Sequence, residues 1–418
     1  MKRREFIRNV GLSAAAAAAA SALPGCVGAP GARTAPASAA ASAAQAVVLP
    51  RRRLGRTGLD VSLLGLGGFH QLEISQEIVD EVVRRYVAAG GNYVETAKYY
   101  GNGASETKLG RALRACNATV ILASKTPART SADAWRDLNE SLERLGVDHL
   151  DLYFFHNCSS LEQLDALCAP GGALEAFQRA RDEKLIGHMA LSSHWPPMYV
   201  EAARRLPIEA VLIWGNYLDF CNYPEIPAVV LPALREKDIG ILFMKPFADG
   251  FLHKSVRPAL RYALAQGPHC IVAGFNSAAM LESDAAVLRD TTPVTDHEVN
   301  AILRRAPELG EYVCRQCRAC TVCDEQDMLK RVFELEGKFD RQMDDRRVKD
   351  AAEYALSMQL KGWFNGGQRA REDYAKMDSP ATALLGKPLR PCCYGIDIRR
   401  KLRIAHAKLT PGERIETL

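Results

Sequence analysis

The sequence predicts an α/β fold: eight short strands, each followed by a helix, closed into a (β/α)8 barrel, with a small and mainly helical Cys-bearing domain behind it. Three observations predict it. From Arg51 to about Asp290, eight apolar runs alternate with amphipathic stretches of helical period. Those runs end repeatedly in polar or ionisable residues, as barrel strands do where they meet a site. Past the last run, CRQCRACTVC sets Cys314, Cys317, Cys320 and Cys323 at two-residue gaps, a pattern foreign to the barrel. At 418 residues the chain has room for both parts, since a barrel of this kind takes about 250. Hydrophobic residues at 48% and charged residues at 25% suit a globular protein that buries a core. A net charge of +5, with no basic run interleaved with aromatics, argues against a nucleic-acid partner.

Residues 1–26 stand apart from the fold as a targeting segment. Arg3-Arg4-Glu5-Phe6-Ile7-Arg8 resembles the twin-arginine export signature, with Lys2 in front where a small hydroxyl residue is usual. The Ala-rich stretch from Gly11 to Ala22 is too short and too weakly apolar to span a membrane. Leu23-Pro24-Gly25-Cys26 is similar to a lipoprotein cleavage box that Pro24 fits poorly, so Cys26 either carries a lipid anchor or is incidental to an ordinary cleaved signal. The resemblance implies export of an already folded, cofactor-loaded protein to the periplasm, free or tethered as a lipoprotein. Residues 27–50 are rich in Ala, Pro and Ser and read as a linker.

The barrel is assigned to residues 51–300. Its strand candidates are VSLLGL, NYVETA, TVILASK, LDLYFFH, HMALSS, AVLIWGN, IGILFMK and CIVAGF. Between the third and fourth, SADAWRDLNESLERLG puts Trp135, Leu138, Leu142 and Leu145 on one helical face, with Thr130 or Ser131 to cap its start and Gly146 its end. An open doubly wound sheet is the alternative, but the glycines of LGLGGFH have the wrong spacing for a dinucleotide fingerprint. In a barrel, function belongs at the C-terminal strand ends. Those ends carry His70, Glu95, Lys125, His156, Ser192, Ser193, His194, Asn216, Lys245 and Asn276. An acid, a base and an imidazole on three consecutive strands form a candidate catalytic set.

The segment YVETAKYYGNGASE is similar to the aldo/keto reductase motif, in which an acidic residue precedes Thr-Ala, two residues, Tyr-Gly and then Ser-Glu. LGRTGLDVSLLGLG, the strand ending ASK, LDLYFFH and MKPFADG resemble the same family across most of residues 51–290. The resemblance implies NAD- or NADP-dependent interconversion of a carbonyl and an alcohol on a small molecule. It implies Tyr100 as the general acid, with Lys125 beside it lowering the phenol pKa from near 10. His156 would orient the substrate oxygen. Glu95 would pair with Lys125 at a position where the family has Asp. The implied cofactor positions are Ser192, Ser193, Asn216, Lys245, Gly274 and Glu282. Leu212 and Ser283 replace an expected Gln and Asn. No Lys or Arg lies between Val272 and Ser283 to meet a 2′-phosphate, so the choice of NAD or NADP stays open.

Of the 12 Cys, Cys116, Cys158, Cys168, Cys221 and Cys270 are scattered through the barrel and read as small buried hydrophobes. A compact Cys run with a remote Cys is how a [4Fe–4S] cluster is wrapped. Residues 301–418 also resemble the ferredoxin-type tail of one aldo/keto reductase branch, its second motif reduced to PLRPCCYGIDI. One cluster is expected, on Cys314, Cys317 and Cys320, with Cys323, Cys392 or Cys393 as fourth ligand; structural zinc is the alternative. Thiols metallated before export escape oxidation afterwards. A nicotinamide moves two electrons and a cluster one, so the cluster would be structural or would face a redox partner protein. The competing reading of the chain is a non-catalytic barrel serving as an electron-transfer or binding scaffold.

Overall fold

The first apolar run, VSLLGL, does not form one strand. In the computed structural model, which describes residues 48–317, 326–344, 367–377 and 380–412, it is divided at Leu63. Its first part belongs to an antiparallel hairpin of β1 (Arg51–Arg53) and β2 (Asp60–Ser62), and its second is the barrel strand β3 (Leu64–Gly67). Ser62 makes the break. Its N–H donates to Asn92 Oδ1 at 2.6 Å, and its hydroxyl donates to the Leu64 carbonyl at 2.7 Å and lies 3.0 Å from the Tyr86 hydroxyl. The hairpin then closes the N-terminal end of the barrel, because Leu54 and Val61 are wholly buried among the side chains of the bore.

The other seven runs form strands where the sequence places them: β4 (Tyr93–Glu95), β5 (Ile121–Thr126), β6 (Leu150–Phe155), β7 (Ile186–Ser192), β8 (Ala210–Trp214), β9 (Gly240–Met244) and β10 (Cys270–Ala273). Strands β3 to β10 pair in sequence order and β10 pairs in parallel with β3, so the (β/α)8 barrel is closed. Side chains alternate between its two faces. Tyr93, Ala123, Leu152, Phe154, Ala190 and Leu242 fill the bore, while Val94, Leu122, Tyr153, Phe155, Leu191 and Ile241 pack outward against the helices. The same parity turns Glu95, Lys125, His156 and Ser192 inward, each at or just past the end of its strand. The helix Ser131–Leu145 starts at Thr130, whose hydroxyl accepts the Asp133 N–H at 3.2 Å, and stops at left-handed Gly146 (φ 68°).

Beyond the barrel, the helices Gln326–Asp340, Gly367–Ala375, Pro380–Leu385 and Ile398–Leu409 gather Leu329, Val332, Phe333, Tyr374 and Leu402 into a second apolar core. Buried Glu336 pairs there with Lys401 at 2.7 Å and Lys408 at 3.1 Å. The chain after Asp340 returns to the barrel. Asn222 Nδ2 donates to the Gln342 carbonyl at 3.0 Å, and Asp344 N–H donates at 2.8 Å to the carbonyl of Glu308, at the start of the extension. Cys320, Cys323 and the whole export segment lie outside the described residues.

Candidate active site

The register of β4 and β5 sets Glu95 opposite Ala123, so Lys125, two residues on, shares its inward face. The Lys125 side chain is wholly buried. Its ammonium lies 2.9 Å from Glu95 Oε2 and donates to the Thr96 carbonyl at 2.8 Å and the Tyr100 hydroxyl at 3.3 Å. Tyr100 sits in the turn after β4, with its ring edge-on to Phe69 at 5.3 Å and to His156 at 5.8 Å. His156 is the first residue past β6, and its N–H bonds the Thr126 carbonyl at 2.9 Å. Glu95, Tyr100, Lys125 and His156 therefore converge at one side of the barrel mouth.

Their electrostatics follow from burial and from one another. Burial raises the Glu95 carboxyl above its ordinary range, and Lys125 offsets part of that rise. Burial pulls the Lys125 ammonium down, but Glu95 and then Tyr100 outweigh it, so Lys125 stays charged. For Tyr100 the expected effect of Lys125 is present but outweighed. Burial raises the phenol, Lys125 pulls it down and Glu95 raises it again, leaving the group above its ordinary value and not below it. His156 is driven well below its usual range, by burial first and then by Lys125, His194 and Arg129. It is a neutral imidazole, able to donate one hydrogen bond.

The positions implied for a cofactor divide. Ser192, Ser193, Asn216 and Lys245 follow the rim from β7 to β9. Ser192 Oγ accepts the Asn157 N–H at 3.1 Å and Ser193 Oγ the Trp195 N–H at 2.9 Å. Asn216 caps the helix Tyr217–Asn222 through the Asp219 N–H at 2.8 Å, while its Nδ2 donates to Asp219 Oδ2 at 2.6 Å and to the Lys245 carbonyl at 2.9 Å. Lys245 pairs with Asp249 at 3.0 Å. Gly274 lies beneath His70, whose ring carbon would be 2.2 Å from a Cβ placed there. Glu282 points from the helix Ala278–Leu288 toward solvent, 3.8 Å from Arg289. Sequence reasoning did not single out Asp219 and Arg341, two buried charges at this rim, or the partly buried Asp249. Asp249 stands inside the quoted MKPFADG, but Arg341 lies in a charged stretch with no pattern to distinguish it.

Residues 63–263 match the aldo/keto reductase family. Those residues form an aldo/keto reductase domain. Its relatives include an uncharacterized oxidoreductase of Bacillus subtilis, 27% identical over 48% of this chain and 66% of that protein. L-galactose dehydrogenase of Arabidopsis thaliana is 28% identical over 50% and 68%. D-threo-aldose 1-dehydrogenase of a Pseudomonas species is 26% identical over 47% and 69%. The matches thus span about half of this chain and about two thirds of each relative. An aldo-keto reductase from Bacillus halodurans superposes with a TM-score of 0.52 at 24% identity, covering 61% of this chain and 96% of that one. One from Klebsiella pneumoniae, solved with NADP and acetate, gives 0.50 at 19%, covering 62% and 95%. At these identities the likeness to the solved structures is one of fold.

The aldo/keto reductase barrel carries Cys158, Cys221 and Cys270 buried, and Cys116 and Cys168 partly buried. Of the C-terminal thiols, Cys314, Cys317, Cys392 and Cys393 lie near enough to interact electrostatically. Cys314 Sγ accepts the Gln316 N–H and Cys392 Sγ the Tyr394 N–H, each at 3.4 Å. Among the described residues, no group of three or more His, Cys, Asp or Glu is disposed to hold a metal ion. Cys320 and Cys323 fall outside that statement.

Proposed function

We propose that the protein is a nicotinamide-dependent oxidoreductase that interconverts a carbonyl and an alcohol on a small molecule. The observation that carries this reading is the Tyr100 hydroxyl, held 3.3 Å from a buried ammonium and edge-on to a neutral imidazole. A bound nicotinamide would supply hydride to the carbonyl carbon. Tyr100 then gives its proton to the developing alkoxide, and Lys125 stabilises the phenolate left behind. Glu95 balances the Lys125 charge, and His156 donates to the substrate oxygen and orients it. The donor set on the rim suits a dinucleotide: two hydroxyls, a carboxamide and the cation of Lys245. The dehydrogenase names of two relatives support a small hydroxylated substrate. Titration of the purified protein with NADH and NADPH, followed by a panel of aldehydes, ketones and sugars, tests the reading. Binding of neither nucleotide and turnover of no carbonyl or alcohol would leave a non-catalytic scaffold.

We propose further that the C-terminal thiols hold one [4Fe–4S] cluster, on Cys314, Cys317 and Cys320 with Cys323, Cys392 or Cys393 as the fourth ligand. Support comes from the soft thiol set and from the backbone N–H donors aimed at two of its sulfurs. Such a cluster transfers single electrons, and so would serve a separate redox partner or the stability of the extension. Iron and sulfide analysis of anaerobically purified protein decides this, and zinc in their place overturns it. Export by the twin-arginine route is the accompanying proposal, supported by Arg3 and Arg4. Cell fractionation should find an R3K/R4K variant retained in the cytoplasm, and metabolic labelling with fatty acid tests for a lipid on Cys26.

A further inference from the structure

The C-terminal extension sends the Arg341 side chain into the mouth of the barrel. Arg341 follows the helix Gln326–Asp340 and is 1% exposed. Its Nε and Nη2 donate to Asp219 Oδ1 and Oδ2, both at 2.6 Å, and its Nη1 donates to Asp249 Oδ2 at 2.6 Å. One planar guanidinium thus ties two barrel loops together with the two-pronged geometry that only Arg provides. Asp219 belongs to the helix after β8 and Asp249 to the loop after β9.

That second loop has a backbone few residues adopt. Lys245, Ala248 and Asp249 have φ of 54°, 49° and 56°, just ahead of Gly250 at 99°. Left-handed conformations at residues with a Cβ persist only where the surroundings hold them. Here Lys245 and Arg341 grip the two oxygens of Asp249, and Asn216 holds the Lys245 carbonyl. Burial would raise the Asp249 carboxyl, but Lys245 and Arg341 hold it at about 2. The charge count points the same way. Among the described residues, Asp219 and Asp249 face Lys245 and Arg341, and without Arg341 the two carboxylates would face a single ammonium. The loops after the last two strands are where barrels of this kind take a phosphate, and a surplus carboxylate there repels an anion.

We propose that Arg341 is a positioning residue through which the C-terminal extension sets the loop 245–250 and neutralises the rim for the phosphates of a dinucleotide. The ligand in this inference rests on the nicotinamide reading above, whereas the loop geometry does not. Hydrogen exchange of the full-length protein, followed by mass spectrometry, tests it with R341M and the charge-keeping R341K. Amides of residues 245–252 should exchange about tenfold faster in R341M, with those of the helix Ser131–Leu145 unchanged. If R341M does not fold, R341K should show the same local effect, because an ammonium cannot bridge both carboxylates in that geometry. Fluorescence titration should give a nucleotide Kd weakened about tenfold, with kcat at saturating nucleotide within about threefold of the parent. Unchanged exchange at 245–252 in both variants overturns the proposal, as does a uniform rise across the barrel. If the parent protein binds neither NADH nor NADPH, the functional reading falls, and the exchange result still decides whether Arg341 sets the loop.

Discussion

Three oxygens of different chemistry meet the Lys125 ammonium: a carbonyl, a carboxylate and a phenol. Replacing Tyr100 with Phe removes only the proton donor, so carbonyl reduction should fall at least about a hundredfold while the melting temperature holds. Because the Tyr100 phenol lies above its ordinary value and His156 is already neutral, kcat/KM for reduction should show no inflection near about pH 6.5. It should fall only above about pH 10, where the donor ionises. A fall that sets in as pH rises past neutrality would instead mean that bound cofactor lowers the phenol and reverses the balance found here. Stability has the opposite sensitivity. His156, and His194 at about 3, are held below the imidazole range mainly by burial. The unfolded chain therefore binds more protons, and thermal melts should drop as pH falls below about 6.5. Glu95 already reaches Lys125 at 2.9 Å, so E95D, which withdraws the carboxylate, should lower the reduction rate.

For the elements, short apolar runs ending in polar or ionisable residues predicted the strands, and the structure decides which of their residues face the bore. The run ends are local, so Glu95, Lys125 and His156 could be picked out without knowing which way they point. The division of VSLLGL could not. It depends on Asn92 and Tyr86, distant in sequence and in contact with Ser62, while Leu63 and Leu64 are both buried and give no polar mark of a break. The hairpin formed by that division is a plug with a measurable worth. Leu54, fully buried in the bore, should cost about 2–5 kcal/mol when replaced by Ala, read from urea denaturation. A loss below about 0.5 kcal/mol, the scale of surface changes, would show that the hairpin rests on the barrel without closing it.

For the whole molecule, the extension and the barrel share buried polar contacts and are not joined by chain alone. Glu308 accepts from Tyr217 at 2.8 Å and from Ser255 at 2.7 Å, and Arg341 binds two barrel carboxylates. A chain ending at Arg305 strands those groups, and breaking one buried charge pair costs about 3–5 kcal/mol. The truncated barrel should melt well below the full-length protein or be recovered as aggregate; equal melting temperatures would make the extension an independent domain. What the sequence by itself determined was the barrel, with a candidate set of polar residues at its strand ends, because repeating apolar runs and the residues that end them are properties of neighbouring positions. Only the tertiary structure decided that the Tyr100 phenol is raised, that Asn216 caps a helix, and that Arg341 completes the rim. Those outcomes come from burial and from charges meeting across as many as 122 positions of sequence, which no local pattern records.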